Sequence, residues 1–201
     1  MQMTLRAGQP SEIAAFVMAA GWAGFGVILA LGKRGAAKGA AKRDLKSSLG
    51  FLLQCVAYAI CFAFFRPYFS ALVPMSLSSE LILAGFTIAF SIGSVWFCYA
   101  AARALGKQWA LMARVIEGHE LISQGPYAVV RNPIYLAMLG MLLATGLAVS
   151  RWQALVVAAM VFAVGTAIRI RTEEKLLRQT FGPKFEDYAR RVPAFLPRLL
   201  P

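Results

Sequence analysis

Two adjoining stretches decide the fold: Asn132–Ser150, NPIYLAMLGMLLATGLAVS, and Trp152–Ile168, WQALVVAAMVFAVGTAI. They are 19 and 17 residues long, and neither contains a charged side chain. A helix that crosses a bilayer needs roughly 20 apolar residues, with a range of about 17–25. Backbone polar groups in hydrocarbon must be satisfied within the segment, so each stretch reads as a helix. Only Arg151 separates them, which predicts a tight antiparallel hairpin whose open ends, Arg131 and Arg169, return to the same side. Three more uncharged runs precede them: Ile13–Gly32, Leu49–Phe65 and Leu81–Ala102, of 20, 17 and 22 residues. The whole chain is 59% apolar and 15% charged, against roughly 45–50% and about 25% in soluble domains. Too little polar chain remains to cover five such helices in water. The reading is therefore an all-α, multi-pass integral membrane protein with five transmembrane helices.

The charges between the runs set an orientation. Alternate connections carry 18 and 3 of the 21 basic residues, and the positive-inside rule places the richer side in the cytoplasm. The N-terminus is then outside and the C-terminus cytoplasmic; in a bacterium the membrane would be the inner, plasma membrane. This placement accounts for the net charge of +12 by topology and attraction to anionic headgroups, so no nucleic-acid partner is expected. The Lys33–Lys46 loop reads as topogenic. The first apolar run exceeds a signal-peptide core of about 7–15 residues, so no cleavable signal is expected. Cys55, Cys61 and Cys98 lie within spans, away from His119, the single histidine, and read as small apolar packing residues with no metal site.

The two halves differ in information. Residues 1–102 read as a three-span scaffold. Gly21, Gly24, Gly85 and Gly93 there are candidates for close helix approach. Ionisable residues are absent from the interior of these spans, with Glu12 and Glu80 at their outer ends, which argues against an ion-coupled transporter. Residues 103–201 carry a polar loop, the helical hairpin and a C-terminal cap, integrated with the scaffold into one domain. Gly125-Pro126 marks a turn. Asn132-Pro133 fits a helix start with Asn as cap and Pro in the first turn, its free amides facing the loop and suited to an anion. Arg169 and Glu173, four apart, share a helical face and pair either as a surface ion pair or toward a cavity beneath His119 and Tyr135. Phe181–Tyr188 reads as an amphipathic segment on the membrane surface, and Val192–Pro201 as an extended cap.

His119-Glu120-Leu121-Ile122, Gly125-Pro126-Tyr127, Arg131-Asn132-Pro133-Ile134-Tyr135, Arg169-Ile-Arg-Thr-Glu173-Glu174 and Phe181-Gly182 closely resemble the isoprenylcysteine carboxyl methyltransferase family. These are integral membrane enzymes that use S-adenosyl-L-methionine and are related to phospholipid N-methyltransferases. The resemblance covers residues 103–198. It implies that His119–Ile122, Tyr127, Arg131 with Asn132–Tyr135, Glu173 and Glu174 surround the cofactor, that Arg169 faces the acceptor's carboxylate, and that Arg169 and Glu173 form the catalytic pair. Glu174 and Arg171 are adjacent alternatives for those two roles. Asn132 stands where the family has histidine; it keeps a hydrogen-bonding side chain but cannot transfer a proton.

The cofactor brings the reactive group, so such a protein supplies position and electrostatics. The implied activity is methyl transfer to a lipophilic acceptor, first the carboxylate of an isoprenylcysteine-like molecule and second a phospholipid amine. The expected partners are membrane lipids and that acceptor, with no obligate protein partner. A membrane ene-reductase of the sterol type, which would bind NADPH, and a non-catalytic scaffold are the readings from other classes.

Overall fold

The computed structural model describes residues 9–35, 45–65, 77–106 and 121–197. These form helices α1 (Gln9–Gly35), α2 (Leu45–Ala63), α3 (Leu77–Leu105), α4 (Pro126–Val129), α5 (Pro133–Val149), α6 (Trp152–Phe181) and α7 (Pro183–Arg191). Among the described residues, the only extended pairing is an isolated bridge between Phe65 and Ser150. By length and composition, α1, α2, α3 and α6 can cross a membrane, whereas apolar α5 has only 17 residues, the lower edge of the usual range of about 17–25.

The helix ends follow from local chemistry. Pro133 opens α5 in its first turn, as expected, but the Asn132 side chain makes no capping bond. Its amide instead donates to the Ala194 carbonyl at 2.8 Å, a partner on the C-terminal segment. Helix α6 continues past Ile168 through the charged stretch, because loss of hydropathy ends a span and not a helix. It stops at Gly182, whose φ of 50° is readily adopted only without a Cβ.

The helices alternate in direction. At one end, the Ser11 hydroxyl donates to Glu80 Oε1 at 2.7 Å, and the Arg151 N–H donates to the Phe64 carbonyl at 3.1 Å. At the other end lie the start of α2, the end of α3, α4, the start of α5, the end of α6 and all of α7. The hairpin partners pack mainly outward, α6 along α2 and α5 along α3, with α1 lying across α3 and α5. Met141 and Ala137 of α5 meet Phe25 and Cys98 in one buried cluster; Leu142 meets Ala57, Cys61, Ala158 and Phe162 in another.

Close helix approach occurs, but at other glycines than the four expected. Gly85 and Gly93 face open space, and Gly21 and Gly24 have ordinary contacts. The tight crossings are elsewhere. A Cβ on Gly165 would lie 2.7 Å from the Gly50 carbonyl oxygen, and one on Gly140 would collide with the Ser94 hydroxyl. Small residues are legible in a sequence, but the direction they face is not. Because backbone atoms form the α2–α6 contact, Gly165→Val should destabilise the protein by about 1–3 kcal/mol through overpacking. A thermal melt of detergent-purified protein checks this; an unchanged midpoint would contradict the crossing.

Helix α7 is amphipathic, but the bundle covers its apolar face. Phe185, Tyr188 and Val192 are buried against Leu121, Leu177 and Phe181. Docking this face on protein removes the driving force for laying it in lipid.

Candidate active site

The polar groups gather at the charged end in two neighbouring clusters. The first lies between α2, α5 and α6. Arg169, 3% exposed, directs Nη2 to Glu173 Oε1 at 3.3 Å and Nη1 to Gln54 Oε1 at 3.3 Å. Its guanidinium lies 4.9 Å from the Tyr135 ring centroid and 5.7 Å from that of Phe51. The Tyr135 hydroxyl donates to the same Glu173 oxygen. Such a group of a buried cation, two ring faces and a hydrogen-bonded carboxylate holds its members in one arrangement.

The second cluster lines a cleft. Arg131 Nη2 pairs with Glu174 Oε1 at 2.7 Å, and its Nε donates to the same atom at 2.9 Å. Its Nη1 donates to the carbonyls of Ala189, at 2.9 Å, and Val192. Leu105, Leu121, Ile122, Tyr127, Asn132 and Leu177 continue the wall of a cleft of about 80 Å³. Helix α7 and the segment that follows it, residues 192–197, form a C-terminal strap that closes on this cleft: the Arg131 N–H donates to Pro193 O at 2.9 Å, and the Tyr188 hydroxyl of α7 donates to Tyr127 O at 2.6 Å. Burial pushes the Tyr188 phenol up to about 12 and the Tyr127 phenol well above its ordinary value, so both stay protonated across the physiological range. Tyr188→Phe should cost about 1 kcal/mol, because it leaves a buried carbonyl unpaired. The melting midpoint checks this, and no shift would show that Arg131 and Asn132 hold the strap without this bond.

The structure thus separates the two adjacent glutamates. Successive helical residues point about 100° apart, so Glu173 turns to Arg169 and Tyr135 while Glu174 turns to Arg131 and the cleft. Of the residues singled out in the sequence, Leu121, Ile122, Tyr127, Asn132 and Glu174 line the cleft. Pro133 is buried in the first turn of α5 and Ile134 is half-buried beside it; Tyr135, Arg169 and Glu173 form the neighbouring cluster. His119 and Glu120 lie outside the described residues. Sequence reasoning missed Gln54, Arg131 as the partner of Glu174, and Tyr188. Gln54 carries no charge to interrupt an apolar run; Arg131 stands inside a quoted motif, but 43 residues from its partner. Among the described residues, no group of three or more His, Cys, Asp or Glu side chains is placed to hold a metal ion.

Among the described residues, four helices long and apolar enough to cross a membrane, with buried polar clusters gathered at one end of the bundle, define an integral membrane protein as the class. The phospholipid methyltransferase family matches residues 81–184, more than half of the 201 residues, and the chain belongs to this family. The match begins at α3, earlier than the resemblance at 103–198, and ends at the start of α7, leaving α1 and α2 outside. Three curated relatives align with the chain. The cobalt-zinc-cadmium resistance protein CzcN of Cupriavidus metallidurans is 38% identical over 96 residues, which is 47% of this chain and 44% of that protein. The nickel-cobalt-cadmium resistance protein NccN of Alcaligenes xylosoxydans xylosoxydans is 36% identical over 96 residues, 47% and 45% of the two chains. Protein-S-isoprenylcysteine O-methyltransferase B of Arabidopsis thaliana is 33% identical over 81 residues, 40% and 41% of the two chains. The chain therefore spans less than half the length of each of these relatives.

Proposed function

We propose that the protein transfers a methyl group from S-adenosyl-L-methionine to a lipophilic acceptor at the charged end of the bundle. Family membership supports methyl transfer, and the likeness to an isoprenylcysteine O-methyltransferase supports a lipid-modified acceptor. The observation that carries the reading is the split of Glu173 and Glu174 between two adjoining clusters, one lining a cleft and one enclosing a buried arginine.

The donor set fits the cofactor's chemistry. Leu121, Ile122, Leu177 and Phe185 offer an apolar wall, and Asn132, Arg131 and Glu174 converge on it, the usual composition of a small-molecule site. The described walls enclose only a part of the roughly 300 Å³ or more typical of such sites, enough for one end of the molecule. When bound, S-adenosyl-L-methionine supplies a methyl group on a sulfonium, already electrophilic. Tyr127, Asn132 and Glu174 hold its polar groups. Arg169 orients an acceptor carboxylate by a charge-assisted bond; a carboxylate nucleophile needs no base, and alignment alone can supply roughly 7–11 kcal/mol. For a phospholipid amine, the alternative acceptor, Glu173 is the group placed to take a proton. Phe51, 42% exposed, covers Arg169 on the side of α2, where a lipophilic acceptor would displace it. The Asn132 amide, bound to Ala194, ties the strap to the cleft.

On this reading the bundle makes five crossings with α5 as the shortest. Among the described residues, one end holds Arg151, while Lys46, Arg103, Arg131, Arg169, Arg171, Lys175, Arg178, Lys184, Arg190 and Arg191 lie at the other, which faces the cytoplasm by the positive-inside rule. Calorimetry of detergent-purified protein tests the function. S-adenosylhomocysteine should bind in the micromolar range, roughly −8 kcal/mol, and NADPH should not; NADPH binding alone would support the reductase reading, and binding of neither a scaffold.

A further inference from the structure

We propose that Gln54, on α2, is a positioning residue that fixes the guanidinium of Arg169. Gln54 lies outside the family-matched stretch, which begins at residue 81, and within a span that reads from sequence as scaffold. The chain places it 1% exposed, one turn below Phe51 on the same helix. Its Nε2 donates to Thr166 Oγ1 at 2.9 Å, and its Oε1 accepts from Arg169 Nη1 at 3.3 Å.

The orientation of this amide follows from chemistry. A guanidinium has donors and no acceptor, so the amide oxygen must face Arg169. The amine group is then left for the Thr166 hydroxyl, whose oxygen can accept while its own proton turns elsewhere. Thr166 lies one turn before Arg169 on α6, so both ends of the Gln54 amide are held by one helix. The reach depends on the Gly50–Gly165 crossing: a Cβ at Gly50 would stand 2.6 Å from Arg169 Cγ, so a larger residue would push α2 away. Gln54 and Phe51 thus approach Arg169 from α2 while Tyr135 and Glu173 approach from α5 and α6. A planar cation has its plane set by a ring on its face and its rotation set by acceptors in its plane. Glu173 provides one in-plane acceptor, and Gln54 provides the second on another nitrogen.

The orientation itself can be read without turnover. In detergent-solubilised, nitrogen-15 arginine-labelled protein, the Arg169 side-chain signal is the one lost in Arg169→Lys. Its guanidinium protons should exchange with water about tenfold faster in Gln54→Met, the fold-change expected when one hydrogen bond to a charged group is removed. Gln54→Glu, which keeps an acceptor at the same reach, should restore slow exchange. Unchanged exchange in Gln54→Met overturns the proposal. Should that variant fail to fold, Gln54→Asn, one methylene shorter, takes its place: fast exchange in Gln54→Asn with slow exchange in Gln54→Glu supports the clamp, and equal rates refute it.

The consequence for catalysis rests on the methyltransferase reading. With N-acetyl-S-farnesyl-cysteine as acceptor, Gln54→Met should raise KM about tenfold while S-adenosylhomocysteine affinity stays within about twofold. Parallel loss of both would mean that Gln54 only supports the fold. A wild-type protein that does not bind S-adenosylhomocysteine would sink the methyltransferase reading, and the exchange rates would still decide the clamp.

Discussion

Replacing Arg131 with alanine should lower the melting midpoint by about 10 °C and release the C-terminal strap. Arg131 is the joint of the charged end. Its guanidinium pairs with Glu174, donates to two carbonyls of the α7 terminus and lies 6.0 Å from the Phe185 ring centroid. Both partners of the ion pair are nearly enclosed, with side-chain exposures of 11% and 9%. Losing one partner of such a pair leaves a buried charge and costs about 3–5 kcal/mol. Among the described residues, Glu174 would retain Arg178, at 3.3 Å and 44% exposed, a weaker, solvent-screened contact. Arg131→Lys keeps the charge but cannot reproduce the forked donors, so it should fall between. Limited trypsin digestion gives a second readout: cleavage after Arg190 and Arg191 should be slow in the wild type and fast in Arg131→Ala. A variant with wild-type melting and digestion would remove Arg131 from this role.

Glu173→Ala should weaken S-adenosyl-L-methionine binding about 100-fold, roughly 2.7 kcal/mol, and weaken S-adenosylhomocysteine less. The reason is the charge of the cluster. Arg169 and Glu173 sum to zero; without the carboxylate, a nearly buried cation loses that balancing charge beside Tyr135, Phe51 and Gln54. In surroundings of low dielectric, that change disfavours a cationic sulfonium more than a neutral thioether. Glu173→Gln, which keeps hydrogen-bonding groups but not the charge, should show the same preference at smaller size. Arg169→Ala should instead raise the acceptor's KM with cofactor affinity little changed. Equal loss for the two cofactor forms would show that Glu173 acts by shape and not by charge.

The hairpin and the polar end were legible because hydropathy and charge change sharply along the chain. Pro133 and Trp152 open α5 and α6 where the uncharged runs suggest, since proline and an interrupting arginine punctuate the backbone itself. The run of α6 to Phe181 was not, because helix continues after apolar character ends. The Arg169–Glu173 pair was legible from its four-residue spacing. The different roles of Glu173 and Glu174 required knowing what packs on each side of α6, and nothing local to two adjacent acids records that. Gln54 illustrates the same limit: an uncharged amide in an apolar run becomes informative only when another helix places an arginine beside it. Close approach of Gly50 and Gly165, and the burial of the apolar face of α7, are likewise facts of neighbours.

On the proposed reading, the methyl donor lies in the cleft at the charged end, against the Arg169–Glu173 cluster that orients the acceptor. Ultraviolet crosslinking of tritiated S-adenosyl-L-methionine to the purified protein, followed by peptide mapping, tests it most directly. Label confined to residues 119–135 and 169–188, and removed by excess S-adenosylhomocysteine, is the predicted result. Label in α1 or at the Ser11–Glu80 end, or label that S-adenosylhomocysteine does not displace, would contradict it.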